Sequence, residues 1–111
     1  MNSPQNAFRA LADPTRRQIL SHLAGSEMTI GQVCDQFEVT RGAIKKHLTI
    51  LAEGNLIHVE ARGRERINRL NPAGLKPVSE WLGFFDQFWD DRLGNLKSAI
   101  EKQSKKGNSN D

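Results

Sequence analysis

The side chains best suited to chemistry in this sequence are hydrogen-bond donors, and they are concentrated. Arg41, Lys45, Lys46 and His47 fall within two helical turns of one another, with Thr40, Gly42 and Thr49 among them. At helical spacing they point away from Ala43, Ile44, Leu48 and Leu51, which recur at steps of three and four. Such a helix buries one stripe and offers N–H and O–H donors on the other. A helix lying in the major groove of a DNA duplex needs that division, because base edges and phosphates both accept hydrogen bonds there. Taken alone, the lysines and arginines also fit a solvated face on an ordinary helix.

A second group of cations follows at Arg62, Arg64, Arg66 and Arg69. From Arg41 to Arg69, seven lysines and arginines face only Glu53, Glu60 and Glu65. The chain as a whole is milder, with 16 basic against 13 acidic residues and a formal net charge of +3 over 111 residues. The basic middle therefore points to a polyanionic partner. No Ser/His/Asp grouping, phosphate loop, metal cluster or paired-carboxylate pocket stands out, so the sequence is read as a non-enzyme. A single cysteine forbids an internal disulfide and fits a reducing compartment. No apolar run approaches the roughly 20 residues needed to span a bilayer, and the N-terminus lacks a signal-peptide core. The expectation is a cytoplasmic protein with no membrane partner and no cofactor.

The elements that position the donors are signalled by their caps. Thr29 is an N-cap candidate with Gln32 at capping-box spacing, and Ile30, Val33, Cys34 and Phe37 give the helix after it an apolar face. Glu38-Val39 turns the chain, and Thr40 caps the donor-bearing helix. Two helices are expected upstream. The first, over residues 4–12, carries Ala7, Phe8, Leu11 and Ala12; the second opens at Asp13-Pro14, packs Ile19, Leu20 and Leu23, and stops at Gly25. Arg16 and Arg17 sit in its first turn, against the helix dipole, as ligand-directed or merely solvated cations. Downstream, Gly54-Asn55 ends the donor helix, Leu56 to Arg62 is a strand, Gly63 turns it, and Arg64 to Leu70 returns with one wet face. The hairpin tip, Arg62-Gly63-Arg64, is basic.

Asn71 is expected to cap a further helix whose start is broken between Gly74 and Pro77, with a long helix running from about Val78 to about Gln103. Five of the seven aromatics lie in it: Trp81, Phe84, Phe85, Phe88 and Trp89. With Leu82, Leu93, Leu96 and Ile100 they cover more than one stripe, so part of that surface needs a cover. A second copy of the chain is the simplest one; a wide monomer core with Phe8 and Phe37 is the alternative. Phe8, Leu11, Trp81, Phe85, Phe88, Trp89, Leu93 and Leu96 are the candidate dimer-interface residues. Residues 104–111 are polar and are expected to be a flexible tail. The predicted fold is a mainly α single domain over residues 1–111, five helices with a small β-hairpin between the fourth and fifth, in the order of a winged helix-turn-helix.

The segments FRALADPTRRQILSHL, TIGQVCDQFEVTRGAIKKHLTILAEGNLI and RGRERINRLNP resemble the ArsR/SmtB family of bacterial winged-helix regulators, over about residues 5–103. The resemblance implies a dimer that pairs through its first and last helices, binds an inverted-repeat operator in double-stranded DNA and usually represses. By it, the helix led by Thr40 is the recognition helix. Thr40, Arg41, Gly42 and Lys45 would then face bases or nearby phosphates, Lys46 and His47 would hold the backbone, and Arg62, Arg64 and Arg66 would act from the wing. Thr29, opening the helix before, is placed with this DNA-binding set. Many relatives open the recognition helix with a serine-glutamine pair where this sequence has Thr40-Arg41, so the operator sequence need not be theirs. Paired cysteines of the arsenic type would lie near Thr29 to Gly31, where there is none, and Cys34 suits a small buried hydrophobe. A zinc-type site on the last helix needs a histidine with its carboxylates; Asp86, Asp90 and Asp91 are there, but no histidine lies beyond His58. The sequence therefore resembles the non-metal, autorepressor-like branch, with an inducer or metal not assigned. A metal-responsive sensor and a winged-helix protein-interaction module are the alternatives.

Overall fold

The computed structural model describes residues 4–89. In chain order the elements are α1 (Pro4–Leu11), α2 (Pro14–Gly25), β1 (Met28–Thr29), α3 (Ile30–Cys34), α4 (Arg41–Glu53), β2 (Ile57–Arg62), β3 (Glu65–Leu70), a 3₁₀ turn (Pro72–Leu75) and α5 (Lys76–Gly83). Two compact units divide the chain, Met1–Val78 and Ser79–Asp111.

In the first unit the helices begin where the caps dictate. The Asp13 carboxylate accepts from the Arg16 amide at 3.1 Å, with Pro14 in the first turn of α2, where a missing N–H costs nothing. Thr29 and Gln32 form the full reciprocal box: the Gln32 amide donates to Thr29 Oγ1 at 3.2 Å, and the Thr29 amide donates to Gln32 Oε1 at 2.8 Å. The core lies between the helices and the sheet. Ile19, Val33, Ile44, Leu51 and Leu56 are fully buried in it, each worth about 1.5–3 kcal/mol over exposure. Cys34 and Phe37 are half-buried against it.

α4 ends in a Schellman motif rather than at a glycine in left-handed conformation. Gly54 has φ −81°, and the left-handed residue is Asn55, at φ +64°. The Leu56 amide reaches back to Leu51 O at 3.0 Å, and the Asn55 amide to Ala52 O at 2.9 Å. Leu51 and Leu56 are both buried, the apolar contact that accompanies this motif. Gly54 is needed for a different reason: a Cβ there would stand 2.9 Å from Asn6 O and 3.3 Å from Ala10 Cβ, so α1 packs directly on the end of α4.

The wing differs from the expected two-stranded hairpin. β2 and β3 pair antiparallel, with Ile57 opposite Leu70 and Arg62 opposite Glu65, around a two-residue turn with Gly63 at φ +64°. A third strand is present: β1 pairs antiparallel with β3, Met28 opposite Asn68, giving the order β1-β3-β2. Asn68 is buried in that seam and donates to Met28 O at 3.2 Å.

Three further expectations are corrected. The helix after Thr29 stops at Cys34, with residues 35–39 forming the turn, so Phe37 packs from the turn and not from a helix face. Asn71 makes no cap hydrogen bond to the turn that it opens. Its side-chain amide donates instead to Asn55 O at 2.8 Å, tying the chain after the wing to the end of α4. The helix expected from Val78 begins at Lys76 and is interrupted after Gly83 by a turn at Phe84-Phe85; residues 86–89 are helical again, and the rest of the expected run lies outside the described residues. Within the second unit Trp81, Leu82, Phe84, Phe88 and Trp89 are each more than half exposed. Phe85 is half-buried, edge-on to Trp81 and to Phe84, both at 5.0 Å between ring centres. Asp90, Asp91, Leu93, Leu96, Ile100 and the tail 104–111 lie outside the described residues.

Candidate nucleic-acid interface

α4 is fixed at both ends and along one stripe. Thr40 is extended (φ −70°, ψ 156°), and its Oγ1 accepts from the Ala43 amide at 3.1 Å. Ile44, Leu48 and Leu51 are buried, while Arg41, Gly42, Lys45, Lys46 and Thr49 are exposed. The Thr49 hydroxyl folds back onto Lys45 O at 3.0 Å. The exposed stripe thus carries three cations on a short helix whose orientation is set by capping and burial.

His47 departs from the expected outward stripe. It is half-buried, and its Nδ1 lies 3.3 Å from Arg16 Nη1 and 4.0 Å from an Asp13 oxygen. Arg16 itself is the hub of the α1–α2 junction. Its Nε donates to Ala10 O at 2.8 Å and its Nη2 to Arg9 O at 3.2 Å. Arg17 Nη1 donates to Leu11 O at 2.7 Å. The two arginines that stood against the dipole of their own helix thus cap the carbonyl end of the helix before it, where positive charge is favoured. Neither a ligand nor bulk solvent is required to explain them. The amide of Arg16 first, with the nearby Arg16 guanidinium adding to it, holds the Asp13 carboxyl below its ordinary range.

On the wing the cations divide. Arg62 bridges two carboxylates: Nη1 donates to Glu27 at 2.8 Å and Nη2 to Glu60 at 3.1 Å. Arg69 Nη1 donates to the same Glu60 oxygen, at 2.8 Å. Hydrogen bonds from Arg62 and then from Arg69 keep the Glu60 carboxyl below the usual carboxylate range. Among the described residues, no carboxylate lies within ion-pair distance of Arg64 or Arg66.

This geometry is a capped helix pair with a basic outer stripe, followed by a cationic wing. Residues 11–60 match a family model described as a helix-turn-helix domain. The chain is 33% identical over 101 residues to the HTH-type transcriptional regulator Rv2034 of Mycobacterium tuberculosis, covering 91% of this chain and 92% of that one. It is 35% identical over 77 residues to the transcriptional repressor SdpR of Bacillus subtilis, covering 69% and 86%. Among solved structures, an ArsR family transcriptional regulator superposes with a TM-score of 0.70 at 28% identity, covering 78% of this chain and 94% of the other. The chain belongs to the ArsR family of helix-turn-helix transcriptional regulators.

Within this ArsR-family chain the helix-turn-helix is α3 and α4, and the wing is β2–β3. Thr29 and Thr40 occupy corresponding places, each opening one of the two helices with its hydroxyl oxygen on a backbone amide. Arg41 lies near the start of α3 as well: its Nη1 would be 3.9 Å from a Cβ added at Gly31. Sequence reasoning singled out Arg16 but not its contact with His47, and it missed Glu27, which touches Arg62. Each lies 31 or 35 positions from its partner, beyond the reach of any local pattern. No helix among the described residues is long and apolar enough to cross a membrane.

Proposed function

We propose that the chain is a dimeric repressor that places α4 of each copy in successive major grooves of an inverted-repeat operator. The exposed stripe of Arg41, Lys45 and Lys46 on a helix anchored by Ile44, Leu48 and Leu51 carries this reading. Thr40, Arg41, Gly42 and Lys45 lie at or near the start of α4, the end that meets base edges in helix-turn-helix docking. Lys46 and His47 serve the backbone. With Arg16 donating to His47 Nδ1, the ring proton belongs on Nε2, which leaves an N–H donor for a phosphate oxygen. Repression follows from occupancy of a promoter, and the similarity to a protein named as a transcriptional repressor supports that sign.

The exposed aromatics of the second unit support the dimer. Five large apolar side chains more than half in water are a surface that a second copy would cover. Phe8 and Leu11 of α1, with Trp81, Phe85, Phe88 and Trp89, are the residues assigned to it, together with Leu93 and Leu96. With six to eight cationic contacts per dimer, affinity should fall by roughly three to five orders of magnitude between about 50 and 200 mM salt.

The test separates base from backbone contacts. On duplexes selected by the protein from a random pool, Arg41→Ala should lose about 1–3 kcal/mol and relax base preference, and Lys46→Ala should weaken selected and random duplexes alike. Identical behaviour of the two variants would remove the division of roles.

A further inference from the structure

The wing has one neutralised face and one cationic face, and the pleat of the sheet decides which arginine is on which. Residues directly opposite across an antiparallel ladder share a face, and neighbours along a strand alternate. Arg62 lies opposite Glu65, Glu60 opposite Ile67, and His58 opposite Arg69, which puts Arg62, Glu60 and Arg69 on one face. Arg66 lies opposite Ala61, on the other face, which carries Asn68 and Ile57 into the core nearer the body of the domain. Beyond that core the same face emerges exposed at Arg66, and Arg64 stands in the turn.

On the neutralised face two arginines meet two glutamates. Glu27, directly before β1, and Glu60 on β2 are held by Arg62 and Arg69 through contacts of 2.8–3.1 Å. The four side chains sum to zero charge. They also span the sheet: Arg62 on β2 reaches past β3 to the segment that leads into β1. A guanidinium can do this because its planar fork presents donors in several directions, whereas an ammonium is a single compact charge.

We infer that Arg62 is a positioning residue, a strut that holds the wing to the α2–β1 segment, and that the wing's contacts to DNA are made by Arg64 and Arg66. The inference rests on the DNA-binding reading above and narrows it. Arg62 is already committed to two carboxylates. Moving it to a phosphate would take the arginine from Glu27 and leave Glu60 with Arg69 alone.

The test is the slope of log affinity against log salt, measured on duplexes selected from a random pool, for Arg62→Gln, Arg62→Lys, Arg64→Gln and Arg66→Gln. Each lost phosphate contact lowers the slope by about 0.9. A substitution removes the contact from both copies of the dimer, so Arg64→Gln and Arg66→Gln should each lower the slope by about 1.8. Both Arg62 variants should keep the wild-type slope, and both should speed amide exchange in β2. Lysine preserves a phosphate contact but cannot bridge two carboxylates. A slope lowered in Arg62→Gln and restored in Arg62→Lys therefore overturns the inference. So does a wild-type slope in both Arg64→Gln and Arg66→Gln, which would take the wing off the DNA while leaving the role of α4 standing. Failure of the unmodified protein to bind any duplex would instead defeat the DNA reading itself.

Discussion

Replacing Trp89 by alanine should weaken self-association without disturbing the helix-turn-helix unit. Trp89 is 60% exposed. Full burial of a large apolar side chain contributes about 1.5–3 kcal/mol, so a side chain still mostly in water has about 1–2 kcal/mol left to gain on being covered. A two-fold axis uses every interface residue twice, which makes the loss about 2–4 kcal/mol per dimer. At about 1.4 kcal/mol per tenfold, the dimer dissociation constant should rise roughly 30- to 700-fold. Sedimentation equilibrium over a concentration series measures it directly. Far-ultraviolet circular dichroism should be unchanged, because Trp89 lies outside the core of the first unit. A dissociation constant within about threefold of the unmodified protein would refute the reasoning, because covering the exposed part of Trp89 would then contribute almost nothing to association.

Three other perturbations follow from the described geometry. Thr40→Ala removes the acceptor for the Ala43 amide and should cost about 1 kcal/mol by denaturant unfolding, with Thr40→Ser close to the unmodified protein; equal midpoints for all three would exclude the cap. Gly74→Ala drives a Cβ into the Asn55 carbonyl oxygen, which already accepts from Asn71, and should lose about 1–3 kcal/mol or more; an unchanged melting temperature would mean that this joint is loose. Acid should loosen the wing. The Glu60 carboxyl is held below its ordinary value near 4.5, so the folded chain binds fewer protons there than the unfolded one. Its contribution is complete above about pH 4.5 and is lost as pH falls through the lower folded value. The gap in melting temperature between the unmodified protein and Glu60→Gln should close on acidification, and a gap independent of pH would contradict the pairing.

Much of the first unit was legible because its signals are local. Asp13-Pro14, Thr29 with Gln32, and Thr40 each declare a helix start within four residues, and each cap is made as the spacing implies. Gly63 likewise marks a turn by the conformation that it alone takes cheaply. What escaped was set by distant partners. β1 is two residues long, too short for any periodicity, and is a strand only because β3 lies beside it. Arg16 looked misplaced on its own helix because the carbonyls that it serves belong to α1. Asn71 has the residue type of a cap, yet its amide is drawn to the carbonyl of left-handed Asn55, across the wing. The continuous apolar pattern around Gly83 gave no reason to end a helix there, although a glycine in a helix interior is destabilising by about 1 kcal/mol relative to alanine. Of the candidate interface, the exposed stripe of α4 was readable from spacing, whereas the division of the wing arginines depended on a register and on Glu27.

The central claim is that two copies present α4 to one duplex at the spacing of a helical turn. A hydroxyl-radical footprint on duplexes selected from a random pool tests it most directly. The expected result is a palindromic consensus with two protected patches on one face of the DNA, their centres about 10 base pairs, or roughly 34 Å, apart. A single patch, or protection with no preference for any palindrome over random duplex, would contradict it.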